Sequence, residues 1–262
     1  MKAMGLPSNE DPVMSSVLSP SVAASVTLSD EPWPELGAEP PSTAVLETYL
    51  KALIAGDPET CERVVDGQLA AGRSLIEIYD DLMRPALYRV GELWMQNRLS
   101  VTCEHLATTI TEGLINRLYP MVAKARPDGR KVVLATVEDD LHRVALRMAA
   151  DIFEMGGWES VLVSTGATLE ALLRQLDAER PDGLGLSFSV ASHLDRLRRM
   201  LTAIRAAYPE LPILLGGQAN DQVRDTDLAL DPGLTRVTSL ADLSRVLRTH
   251  PAWARLAREV RP

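Results

Sequence analysis

From residue 130 onward the chain alternates short apolar runs with helical patterns, and this alternation restricts its fold more than any other feature of the sequence. Val132, Val133 and Leu134 lie in a run, 131–137, that reads as a buried strand, and a helix is expected over 142–155. A second strand follows over 158–164, a second helix over 169–178, a third strand over 183–189 and a third helix over 194–207. A fourth strand over 212–215 and a fifth over 234–238 precede a final helix. Repeated strand–helix units predict a doubly wound, Rossmann-like parallel sheet in an α/β protein. Ligands of such sheets bind outside the carboxyl ends of the strands. Asp140 and His142, Thr165 and Gly166, Ser187 and Ser189, and Gly216 with Gly217 all fall there.

The stretch before the sheet has a different period. Val45, Leu46, Tyr49, Leu50 and Leu53 recur at helical spacing, and Asp57 before Pro58 reads as a helix cap. Ser74 and Glu77 have capping-box spacing and open a helix through Ile76, Tyr79, Leu82, Met83, Leu87, Val90 and Leu93. Ser100 caps a fourth helix through Leu106, Ile110, Leu114, Ile115 and Leu118. Four helices with short connections predict an antiparallel four-helix bundle over 43–125, with Pro120 and the segment 124–129 linking it to a sheet domain over 130–262. Residues 1–42 carry prolines at 7, 12, 20, 32, 34, 40 and 41 and hold no period, so a disordered tail without a helix-turn-helix pattern is expected.

Composition narrows the partners. The net charge of -9 disfavours nucleic acid, whose binding proteins neutralise phosphates with cations. The basic run of Arg196, Arg198, Arg199 and Arg205 reads as a solvated helix face. No apolar run reaches the about 18 residues of a membrane span, and the first residues lack the apolar core of a signal peptide, so a cytoplasmic protein is expected. The two cysteines, Cys61 and Cys103, cannot build a disulfide framework and read as reduced, buried structural thiols.

Two segments carry chemistry. Trp94 is followed, after nine intervening residues, by Glu104 and His105, and further along comes Asp140-Leu141-His142. A metal-ligating histidine usually holds its second ring nitrogen on a carboxylate, which Asp140 can supply from the same loop. The bland alternatives are an acidic helix cap beside a surface histidine, a core tryptophan at a helix end, and tight-turn glycines. Taken together, the segments suggest a large planar cofactor held between two domains and ligated through its metal by His142.

Asp140-Leu141-His142, then Ser187-Phe188-Ser189, then Gly216-Gly217 at successive strand ends resemble the cobalamin-binding domain family, which includes the corrinoid domains of methionine synthase and methylmalonyl-CoA mutase. The resemblance implies that His142 replaces the cofactor's own dimethylbenzimidazole on cobalt while the displaced nucleotide tail threads past Ser187 and the glycines. Ala145 stands where the motif has Gly, and Ser189 where it has Leu. The bundle is then the cap over the upper face of the corrin. Trp94, Val101, Glu104 and His105 are similar to the cap of CarH-type photoreceptors, which packs around the adenosyl group of adenosylcobalamin. In those receptors a second histidine follows the tryptophan and takes the upper cobalt position after photolysis; here that residue is Met95.

The resemblance thus implies a light-responsive adenosylcobalamin sensor without a DNA-binding module, acting through homo-oligomerisation or a regulatory protein partner. Stand-alone chains of this layout also resemble photocobilins, which add a bilin such as biliverdin. The alternatives are a corrinoid shuttle for a methyltransferase system, which has no need of Trp94 with Glu104 and His105, and a cobalamin-bound antirepressor. A radical mutase would need a substrate barrel that this sequence lacks.

Overall fold

The computed structural model describes residues 36–254 except 38, 123, 124, 164, 165, 225–227, 229 and 230. The expected tail therefore lies largely outside the described residues, as does Thr165. Where the tail meets the bundle it is tied down: Gly37 N–H donates to Glu77 Oε1 at 2.8 Å and Leu36 packs on the core.

The helical half opens with α1 (Thr43–Ala55) and α2 (Pro58–Ala70). Ser42 caps the first by accepting from Val45 N–H, and Asp57 caps the second by accepting from Thr60 N–H at 3.0 Å. Next, α3 (Leu75–Ile78), a π-turn (Tyr79–Met83) and α4 (Arg84–Met95) run on as one helical course. Ser74 and Glu77 form the expected capping box. The sequence reading missed the π-turn. Pro85, the second residue of α4, lacks an N–H and crowds the carbonyl four residues back, and the widened turn before it relieves that conflict. Helix α5 (Val101–Leu118) starts at the Ser100 cap and buries Ala107, Ile110, Thr111, Leu114, Ile115 and Leu118. Leu106, assigned to the same apolar stripe, is exposed instead and lies over Gly56.

Five parallel strands follow, β1 (Lys131–Thr136), β2 (Glu159–Leu162), β3 (Gly183–Ser187), β4 (Ile213–Gly216) and β5 (Leu234–Arg236), in the order β2-β1-β3-β4-β5. Between them run α6 (Val144–Met155), α7 (Leu169–Glu179) and α8 (Leu194–Ala207), and α9 (Leu240–Thr249) closes the fold. The first and last of these share one face of the sheet with the bundle's core, while α7 and α8 share the other. Strand order reverses between β1 and β3, which opens a crevice at their carboxyl ends.

Of the elements that are shorter than expected, two are cut back for one reason. The helix begins at Val144 rather than at residue 142 because the Asp140 carboxylate takes the His142 N–H into a turn. The third strand stops at Ser187 because the Ser189 N–H also turns to Asp140.

The π-turn joins the two halves. Tyr79 Oη donates to Asp151 Oδ2 of α6 at 2.7 Å, in full burial. Asp80 accepts from the first N–H groups of α9, Leu240 at 2.9 Å and Ala241 at 2.7 Å. A carboxylate there satisfies orphan donors and the positive end of the helix dipole at once.

The cysteines differ. Cys61 is fully buried, and burial helped by the Asp57 charge pushes its thiol up to about 11. Cys103, in the first turn of α5, is only partly covered and its sulfur accepts from Ser100 Oγ at 3.2 Å.

At the opposite end of the sheet from the crevice, Trp253 packs edge-on with Phe153 and beside Trp158, with ring centroids 6.0 and 5.7 Å away. Its ring also lies on Gly183, where a Cβ would come within 2.5 Å of it. Trp253→Ala is expected to lower unfolding free energy by about 3–5 kcal/mol in urea titrations; an unchanged midpoint would contradict this packing role.

Candidate functional site

After β1 the chain turns at Asp139, whose φ of 64° is tolerated by an aspartate better than by most residues. Its carboxylate meets Arg196 at 3.0 Å. The turn brings Asp140 against the end of β3, where it is 1% exposed. One oxygen accepts from the His142 N–H at 3.0 Å and from the His142 ring Nδ1 at 2.7 Å. The other accepts from the Ser189 N–H at 2.9 Å. An ionised carboxylate can only accept, so Nδ1 carries the proton and Nε2 keeps its lone pair.

The electrostatics keep Asp140 ionised and favour a protonated His142 ring; the lone pair on Nε2 belongs to the neutral ring. Burial pushes the Asp140 carboxyl up, but donation from the His142 ring and from the two backbone N–H groups outweighs it and holds the group below the usual carboxylate range. The His142 imidazole is raised by its bond to Asp140 against the opposing effect of burial, with further support from the Asp140 and Glu104 charges. Glu104 belongs to the bundle, so the field of one domain reaches the histidine of the other.

Nine of the ten residues singled out from sequence line one cavity of about 350 Å³ between the domains. Trp94, Val101, Glu104 and His105 come from the bundle side. His142, Ser187, Ser189, Gly216 and Gly217 come from the strand ends. Asp140, the tenth, stands behind His142 and out of the cavity. The volume falls in the usual range of small-molecule sites. On α5 the wall is Val101, Glu104, His105 and Thr108, at helical positions i, i+3, i+4 and i+7. Glu104 Oε1 accepts from Thr108 Oγ1 at 3.2 Å, and Glu104 Oε2 lies 3.6 Å from His105 Nε2.

Gly217 has a structural duty as well. Its φ is 104°, and a Cβ there would meet the Phe188 carbonyl oxygen at 2.5 Å. Gly166 stands off the cavity wall, as do Met95, His193 and His250.

Several wall residues escaped the sequence reading. Arg84, Tyr88 and Gly91 precede Trp94 by helical steps and share its face of α4, a signal the period of 3.6 contains. Leu141 and Arg143 flank His142 and also face the cavity. Arg143 clamps Glu112 of α5 with two bonds of 2.6 and 2.7 Å, a second tie between the domains. The segment from Val237 to Leu240 lines the far end and gave no signal, since its place depends on the β5–α9 connection.

A helical bundle over the carboxyl ends of a parallel sheet, with a carboxylate-held imidazole facing the space between, defines a cofactor-binding pair of domains. Both parts match the B12 binding domain, residues 45–119 in its helical form and residues 130–233 in its sheet form. The two matches together span more than half of the chain, which belongs to the B12-binding domain family.

The chain is 32% identical over 186 residues to the HTH-type transcriptional repressor CarH of Myxococcus xanthus, an alignment covering 70% of this chain and 60% of the relative. With the methionine synthase of Mycobacterium tuberculosis it shares 23% identity over 187 residues, 64% of this chain and 16% of that enzyme. It therefore spans less than two thirds of either relative. Its fold is similar to the monomethylamine corrinoid protein of Methanosarcina barkeri, with a TM-score of 0.62 at 14% identity, covering 78% of this chain and 94% of that one.

The donor set fits a metal that arrives inside its own macrocycle. Among the described residues no group of three or more His, Cys, Asp or Glu could hold a bare ion, whereas one oriented imidazole faces a cavity walled by apolar side chains. No helix among the described residues is long and apolar enough to cross a membrane.

Asp140→Asn replaces a charged acceptor serving three donors with a neutral one, and is expected to destabilise the protein by about 1–3 kcal/mol at neutral pH. Because the folded carboxyl lies below its unfolded value, its contribution is present above the unfolded carboxylate range and is lost as pH falls through the folded one. Urea titrations of both proteins at decreasing pH should therefore converge. A gap that stays constant into strong acid would refute the ionised bridge.

Proposed function

We propose that this chain is an adenosylcobalamin-binding light sensor in which His142 supplies the lower axial ligand and the bundle reads the upper face. The observation that carries the reading is the meeting of Trp94, Val101, Glu104 and His105 with His142 across one cavity. The similarity to CarH supports it from outside the structure.

When bound, adenosylcobalamin supplies a cobalt–carbon bond that visible light can break. The residues of the chain do the rest. Asp140 fixes the His142 ring so that Nε2 meets the cobalt without searching rotamers or tautomers. Ser187 and Ser189 offer hydroxyls, and Gly216 and Gly217 offer room, to the nucleotide tail. Trp94 and Val101, 42% and 49% exposed, present apolar surface that packing on an adenosyl group would cover. Glu104 accepts hydrogen bonds from ribose hydroxyls or the adenine amine. Without an adenosyl group Trp94 and Val101 would have no packing partner on that face, and the bundle's hold on the cofactor would weaken.

The output then passes through a change in self-association or in the grip on a protein partner. Met95 bears on the dark product. It is 66% exposed and off the cavity wall, so no histidine ligand comes from the position after Trp94. The proposal does not extend to a bilin, to which no residue described above is assigned.

The shuttle alternative is separated by light and by Trp94. Protein loaded with adenosylcobalamin is expected to change its absorption spectrum under green light, and its sedimentation with it. Trp94→Ala is expected to weaken adenosylcobalamin by about tenfold while changing aquocobalamin affinity by less than about twofold, measured by titration in the dark. Sedimentation that stays unchanged while the spectrum bleaches, or equal losses for both corrinoids, would remove the sensor reading and leave a methyl carrier.

A further inference from the structure

The bundle wall of the cavity holds a second imidazole, and we propose that His105 becomes the upper axial ligand of cobalt whenever no alkyl group occupies that face. This rests on the reading that a corrinoid fills the cavity with His142 beneath it.

The cavity has two walls with different owners. The sheet domain contributes His142, and the bundle contributes His105. Nitrogen and sulfur side chains are the donors suited to such a metal. Among the described wall residues, the arginines, the amide of Gln218 and the indole of Trp94 offer no nitrogen lone pair, and Met148, the remaining side chain of that kind, belongs to α6, on the His142 side. Met95 and Cys103 lie off the wall. His105 is therefore the bundle's donor.

Its helical position aims it correctly. Val101, Glu104 and Thr108 share the stripe and reach the same cavity, so His105 projects there from the backbone outward. A carboxylate also stands near it, Glu104 Oε2 at 3.6 Å from Nε2, a looser approach than the 2.7 Å bond from His142 Nδ1 to Asp140 beneath and on the other ring nitrogen. In the lower pair the acid is buried and the ring is fixed. In the upper pair the histidine side chain is 73% exposed, with room to turn. Turning it costs rotamer freedom alone, which is small beside a metal–nitrogen bond.

The chemistry is a substitution. A cobalt–oxygen bond to a water breaks, a cobalt–nitrogen bond to the neutral His105 ring forms, the water leaves, and the metal keeps its oxidation state. The consequence is structural. With an adenosyl group present, the bundle is held by packing through Trp94. Without it, α5 is held by a coordinate bond from His105. The two states would differ in which helix grips the corrin, giving the sensor a defined second arrangement rather than a merely loosened one.

The test uses aquocobalamin in the dark, so it does not depend on photochemistry. Wild type is expected to show the spectrum of cobalt with two axial nitrogens and to exchange slowly with added azide. His105→Ala should show an exchangeable water, react with azide at least about tenfold faster, and regain the wild-type spectrum on addition of free imidazole. His105→Gln should behave as His105→Ala does, while Met95→Ala should match wild type. Identical spectra and azide rates for wild type and His105→Ala would overturn the assignment and leave the corrinoid reading intact. Failure of the wild type to bind aquocobalamin at all would overturn both.

Discussion

The Asp140 carboxylate is the constraint on which the rest of the site depends. It is buried at the point where strand order reverses, and it is satisfied by three donors from two loops. That arrangement sets where β3 ends, delays the start of α6, and orients one imidazole toward the cavity. A carboxylate buried without such partners would neutralise or pull the loop open. With them it converts a flexible strand end into a rigid mount. The serine and glycine loops beyond it inherit their positions from the same junction.

Around that mount the bundle shares one apolar core with α6 and α9 and meets them through polar contacts of unlike character. The π-turn inserts Tyr79 and Asp80 into the sheet domain, one against Asp151 and the other at the first turn of α9. These contacts are buried, and breaking them would expose polar groups to one another's loss. On the other side, Arg143 and Glu112 form a clamp whose arginine is largely in solvent. Exposed pairs contribute little and weaken with salt. Trp94 lies near the far end of the helix that follows the π-turn.

Much of this was legible in the sequence. The alternation after residue 130 specified the sheet, and capping residues at Asp57, Ser74 and Ser100 marked helix starts because side-chain oxygens there satisfy orphan N–H groups. The resemblance in motif order marked the residues that meet across the cavity. What escaped has physical causes. The π-turn depends on how a helix absorbs Pro85, which no periodicity reports. The true ends of β3 and α6 depend on a side chain that bonds across 49 residues. Leu106 follows an apolar stripe yet ends at the edge of the bundle, over Gly56, because the stripe is wider than the surface available to cover it. Gly217 reads as room for a ligand but is also demanded by the Phe188 backbone.

The proposed function requires a coordinate bond from His142 to cobalt. The direct measurement is electron paramagnetic resonance of the protein loaded with cob(II)alamin, produced once with ordinary histidine and once with isotopically labelled histidine. The account requires the axial nitrogen coupling to change with the label and to vanish in His142→Ala. A coupling indifferent to the label, with the cofactor's own benzimidazole still on the metal, would contradict it.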